Sequence, residues 1–151
     1  MIPLVRRLEE LGLNPELLGT KESYAFSKRW LEMFAEAVKE KHGKYVYRGF
    51  RWHGFSYGIQ VCTEGADAMS MYLSQWPAPY VIFDEELTTC ARCVSAKYPD
   101  LTSLHADPYV SHENLKWTMV FTHEQPEIGP FFAERHDSNT SINRDRLRQR
   151  G

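Results

Sequence analysis

The stretch LKWTMVFTHEQPEIGPFF, Leu115 to Phe132, decides the reading of this chain. Trp117 to Phe121 is apolar on both faces, which predicts a central strand. The run ends in the polar cluster Thr122-His123-Glu124, then turns through Pro126 and Gly129-Pro130 into a second aromatic pair, Phe131-Phe132. If the strand continues to Glu124, neighbouring side chains point to opposite faces. His123 is then expected beside Trp117, Met119 and Phe121, and Glu124 beside Thr118, Val120 and Thr122, so that the two do not pair.

Working outward, YVIF (Tyr80–Phe83) reads as a short buried strand, and Asp84-Glu85-Glu86 as a turn. Leu87 to Val94 is then its antiparallel return. Pro108 to Ser111 reads as another strand, tightly connected through His112-Glu113-Asn114. Pro99 to His105 reads as a helical turn or loop. YVYRGFRWHGFSY (Tyr45–Tyr57) is dense in aromatic and β-branched residues, which favours a strand, with Gly49 and Gly54 allowing a bulge. Pro3 opens a short helix carrying Leu4, Leu8 and Leu11, and Pro15–Leu18 forms a further turn closed by Gly19. Tyr24, Phe26, Trp30, Leu31, Phe34, Ala37 and Val38 recur at helical spacing, predicting one long helix over 20–42 that stops at Gly43. A second helix over 63–75, capped by Thr63, carries Ala66, Met69, Tyr72 and Leu73.

These elements imply an α+β fold: an antiparallel or mixed sheet of about four to six strands with both main helices packed on one face. The expected core is Trp30, Phe34, Trp52, Phe55, Val81, Phe83, Trp117, Met119, Val120 and Phe121. The chain has 151 residues, 42% hydrophobic and 13% aromatic, which suits one packed domain over 1–133. Beyond Ala133 apolar residues almost vanish. Residues 134–151 hold five arginines against three acids, a balance of +2 that leaves −4 on the rest. A polar, mildly basic flexible tail is expected there. No apolar run approaches the roughly 20 residues of a membrane helix, so no membrane association is expected. The charged N-terminus is unlike a secretory signal, and three cysteines, Cys62, Cys90 and Cys93, fit a reducing cytoplasm better than a disulfide scaffold.

His53, His123 and Glu124 are the candidates for acid–base chemistry. A histidine at a strand end can be a general base, although a half-buried histidine bonded to backbone is the commoner outcome. His53 and His123 converge only if their segments are neighbours. Cys90-Ala91-Arg92-Cys93 is a CxxC, but within a strand its cysteines face opposite ways. Cys62, His105 and His112 do not complete a standard zinc spacing. No metal and no cofactor are therefore expected. Gly-rich phosphate loops, GxSxG, HExxH and EF-hand loops are absent from the sequence. Lys44, Arg48 and Arg51 among aromatics could stack on and pair with nucleic acid, a minor option.

At WHGFSY (Trp52–Tyr57), YVIF and WTMVFTHEQPEIGPFF (Trp117–Phe132) the chain resembles a family of small bacterial proteins catalogued only as a domain of unknown function. Members of that family tend to carry a Trp-His-x-Phe-Ser-Tyr segment, a short Tyr-Val-Phe strand and a Thr-His-Glu run leading to Gly-Pro-aromatic-Phe. The blocks agree in order over about residues 24 to 133. Gly54 stands where a bulkier residue is expected, and the basic tail is extra. The resemblance implies fold and boundaries rather than activity.

Without a complete catalytic constellation, the sequence leans away from an enzyme. It favours a small cytoplasmic protein-binding protein, most naturally a bacterial immunity protein that neutralises a cognate toxin. An acidic face of Asp84, Glu85, Glu86, Asp100 and Asp107 would receive a basic partner. The alternatives are a small hydrolase or nuclease using His53, His123 and Glu124, and a nucleic-acid-associated module.

Overall fold

The structure is a computed structural model and describes residues 3–135. The expected tail falls outside the described residues from 136 onward. Helix α1 (Leu4–Glu10) leads to a two-residue strand, β1 (Glu16–Leu17), where a turn was expected. Helices α2 (Thr20–Phe34) and α3 (Glu36–His42) follow. Then come a short helix α4 (His53–Ser56), strand β2 (Thr63–Glu64) and helix α5 (Ala66–Leu73). The remaining strands are β3 (Tyr80–Phe83), β4 (Cys90–Cys93), β5 (Tyr109–His112), β6 (Trp117–Val120) and β7 (Phe131–Glu134).

Among the described residues seven strands form one antiparallel sheet, in the order β1-β4-β3-β5-β6-β7-β2. The mixed α and β composition is as expected, with more strands than the sequence suggests. The strands not expected are β7, read only as an aromatic pair, and β1 and β2, which at two residues each are too short to show a period of two in sequence. Strands β3, β5 and β6 are wholly buried; β3 is an unbroken apolar run, and the polar Ser111 of β5 and Thr118 of β6 bond to each other.

The helices do not share one face. Alternation along β3 sends Tyr80 and Ile82 to one side and Val81 and Phe83 to the other. The first side packs with Leu4 and Leu8 of α1, Ala68 and Tyr72 of α5, and Tyr98, Leu101, Trp117, Met119 and Phe121. The second packs with Phe26, Trp30 and Phe34 of α2, Val38 of α3, Trp52, Phe55 and Val120. The expected core residues are all buried, yet they belong to two cores divided by the sheet. A sheet apolar on both faces needs a cover on each, so α2 and α5 lie on opposite sides.

Three other expectations are corrected. The long helix breaks at Ala35 (φ −132°, ψ 15°), and the N–H of Ala37 donates to the Gln60 side chain at 2.8 Å. Gly43 ends α3 in the left-handed region, as expected (φ 78°). Thr63 does not cap a helix; it pairs with Phe132 in the sheet, and α5 starts after Gly65. Tyr45–Tyr57 is no strand. Arg48 and Gly49 take φ of 53° and 90°, which turns the chain back and leaves a single bridge between Tyr47 and Phe50. The chain then coils into α4, placing Trp52 and Phe55 in the same core. Gly54 approaches α3 closely there: a Cβ at Gly54 would stand 2.8 Å from Val38 Cγ2.

Candidate functional site

Strand β6 ends at Val120, and residues 121 and 122 run on without further pairing to β7. Thr122 donates its hydroxyl to the carbonyl of Ile128, closing the turn that holds His123 and Glu124. The alternation expected beyond Val120 therefore fails. His123 does not join the face of Trp117, Met119 and Phe121. Its ring packs 5.2 Å from Phe50 and 6.0 Å from Trp52, on the α4 side of the sheet. Glu124 leaves the Thr118 face too, and its Oε1 stands 3.8 Å from His123 Nε2.

The partner that sequence reasoning missed is Asp107. Its carboxylate is buried and accepts the backbone N–H of His123 at 2.7 Å. His123 Nδ1 lies 3.0 Å from both carboxylate oxygens. A carboxylate can only accept, so Nδ1 carries the proton and Nε2 of the neutral ring keeps its lone pair. His53 is held in the same way by a different acceptor. Its Nδ1 lies 2.7 Å from the carbonyl of Tyr47, which again leaves Nε2 as the basic nitrogen. The His53 ring sits 5.2 Å from Phe50 and 4.5 Å from Trp52. The two histidines thus share the same pair of aromatic neighbours, with each Nδ1 occupied.

The turn carrying Phe50 and Trp52 is fastened by a buried ion pair. Arg51 Nη1 donates to Glu85 Oε2 at 2.5 Å, and both side chains are about one-tenth exposed (11% and 10%). The Arg51 backbone N–H also donates to the Glu85 carboxylate, Tyr109 donates to Glu85 Oε1 at 2.5 Å, and Arg51 Nη2 donates to Ser27. Burial pushes the Glu85 carboxyl above the usual range, outweighing Tyr109 and Arg51, which pull it down. Burial, then Glu85, pushes the Tyr109 phenol well up.

A cleft of about 530 Å³ opens beside this turn, lined by Phe50, Asp84, Glu85, Glu86, His105 and Asp107 among others. Four of the five acids expected to bind a partner meet here. Three of them are already engaged inside the fold: Asp84 with the Thr88 hydroxyl and the Thr89 N–H, Glu85 with Arg51, and Asp107 with His123. Glu86 is exposed. Asp100 lies apart, on a groove with Leu11, Lys97 and Tyr98, and bonds to Thr102. Of the basic residues considered for nucleic acid, Arg51 is consumed by Glu85, whereas Arg48 lies over the rings of Tyr47 and Tyr57.

Cys90 and Cys93 fall into opposite cores, as strand geometry requires, and both thiols are free. Among the described residues no group of three or more His, Cys, Asp or Glu side chains is disposed to hold a metal ion, and no helix is long and apolar enough to cross a membrane.

The family described as "Domain of unknown function (DUF4275)" matches residues 18–132. The chain belongs to that family. The match runs from before α2 into β7, and so includes both histidines, Asp107 and the turn that joins them. No curated protein and no solved structure matches the chain.

Proposed function

We propose that the Phe50 turn and its two histidines form the acid–base site of a small hydrolase or nuclease. One observation carries the reading: His53 and His123 pack on the same aromatic pair while a buried carboxylate and a carbonyl fix their Nδ1 protons. Two imidazoles tethered this way can divide the proton work of a hydrolysis. One neutral Nε2 takes a proton from the attacking water as its oxygen bonds to the substrate's central atom. The other ring, protonated, gives its Nε2 proton to the oxygen that leaves. The rings exchange roles to reset, so protons balance over the cycle. Asp107 is a positioning residue, and Glu124, 3.8 Å from His123 Nε2, is placed to receive a proton in turn.

The test is turnover of a panel of chromogenic carboxylic and phosphate esters and diesters by the purified full chain. His53→Ala and His123→Ala should each lower turnover by about 10²–10⁴-fold. A wild-type protein inactive on the whole panel, or variants as active as wild type, would overturn the reading.

A second reading, a protein-binding role such as an immunity protein for a cognate toxin, is favoured by a different observation. Trp76 is 90% exposed and Leu73, three residues before it, is exposed as well. Large apolar and aromatic side chains presented together are characteristic interface anchors. On this reading the contact moves from the internally satisfied acids to the end of α5. A pull-down of the tagged protein from its host would have to recover a stoichiometric protein partner, and Trp76→Ala would have to lose it.

A further inference from the structure

The two imidazoles of the proposed acid–base site have unlike electrostatic neighbours. His123 stands between carboxylates, Asp107 at Nδ1 and Glu124 near Nε2. His53 has a carbonyl at Nδ1 and the ring of Tyr57 at 5.4 Å. Among the described residues it has no carboxylate within ion-pair distance. An anionic group would be repelled on the His123 side and tolerated on the His53 side.

A cation is already in place on that side. The Arg48 guanidinium lies 5.4 Å from the centroid of Tyr47 and 5.7 Å from that of Tyr57. These are the two tyrosines that flank His53, the first through its carbonyl and the second through its ring. Tyr47 and Tyr57 pack edge to face at 5.2 Å, and His42 stacks on Tyr47 at 4.1 Å, so the platform under Arg48 is itself braced. Arg48 has a φ of 53°, a conformation rarely adopted by residues with side chains, and the turn it makes carries its side chain onto the tyrosines. Arg51, three residues on, is neutralised by Glu85. Among the described residues Arg48 has no carboxylate partner.

We infer that Arg48 is the anion-binding residue of the His53–His123 site, and that the substrate presents a phosphoryl group to Arg48 and His53 together. This rests on the acid–base reading above and names its substrate class. A guanidinium offers a fork of N–H donors suited to phosphoryl oxygens, and stacking on aromatic rings holds that fork in orientation. A tetrahedral phosphoryl group can accept from the fork at two oxygens and, at a third, from the Nε2–H of His53 when that ring is the protonated one of the pair. A planar carboxylate spends both of its oxygens on the fork.

The probe is inorganic phosphate, titrated into the full chain while the imidazole signals of His53 and His123 are followed by NMR. Saturable perturbation of His53 is expected. Arg48→Gly, which keeps the left-handed backbone and removes the side chain, should weaken phosphate binding by at least about tenfold. Arg48→Lys should fall between, retaining charge without the stacked fork. The absence of saturable binding, equal binding by Arg48→Gly, or acetate binding as tightly as phosphate would each overturn the assignment. Loss of turnover in His53→Ala alongside a wild type that does not bind phosphate would remove this inference and leave the acid–base reading standing.

Discussion

Asp107 decides what His123 can do. Its left-handed backbone (φ 52°) just before Pro108 turns a buried carboxylate toward a residue 16 positions later. Replacing it by Asn keeps the shape and removes the charge that fixes the Nδ1 proton. On the acid–base reading, Asp107→Asn lowers turnover by about 10²–10⁴-fold with little change in KM. The ¹⁵N signals of the His123 ring should show loss of the single tautomer, a change that a merely structural carboxylate would not produce. A second histidine titrates the fold itself. His112 Nδ1 accepts the backbone N–H of Asn114 at 3.0 Å, so protonation at that nitrogen breaks a bond. Burial, with Lys116, lowers its folded pKa below the ordinary value of 6.5. The unfolded chain therefore takes up the proton first as pH falls. Stability is fully present above about 6.5 and declines on acidification toward the lower folded value. Urea midpoints measured between pH 8 and 5 should show this decline, and His112→Asn should flatten it.

At the scale of elements, the central strands β3 to β6 were legible, and the short edge strands and the connections were not. YVIF and WTMVF declare themselves because strands covered on both faces are apolar on both, and the CxxC strand follows from the turn after YVIF. YVYRGFRWHGFSY misleads because aromatic density suits a strand, while the turn at Arg48-Gly49 and the coil of α4 depend on contacts with Glu85 and α3. Asp107 looked like a free acid for the same reason: its partner is close only in the fold. Likewise, no period in the sequence says which face of a two-faced sheet a helix covers. The packing of α4 and α2 can be tested directly. Gly54→Ala forces a methyl to within 2.8 Å of Val38 Cγ2 and should cost about 1–3 kcal/mol in chemical denaturation. Trp30 of α2 donates its Nε1 proton to Thr118 at 2.8 Å, and Thr118 shares a hydrogen bond with Ser111, so one helix is tied to two central strands. Trp30→Phe removes that donor and should cost about 1–3 kcal/mol by the same measurement.

For the molecule as a whole, two cores back to back mean that neither helical layer is dispensable. The β3–β5–β6 centre is protected on both sides, and the edges end in β1 and β2, strands too short to offer much template for pairing with another chain. The His53–His123 pair packs on the α2–α4 side of the sheet, whereas α5, which leads to Trp76, covers the other. A ligand at one site need not obstruct the other.

Of the four tryptophans, Trp30, Trp52 and Trp117 are sealed in the cores and Trp76 stands in solvent. The intrinsic fluorescence is therefore divided by location. Iodide should quench only the red-shifted Trp76 component of the native protein, and Trp76→Phe should remove that component without altering the melting curve. A partner that seats on the end of α5 would shield the emission from iodide, while a ligand bound beside His53 and His123 would leave the quenching unchanged. A single optical titration can thus report which side of the molecule has been occupied, with no label added.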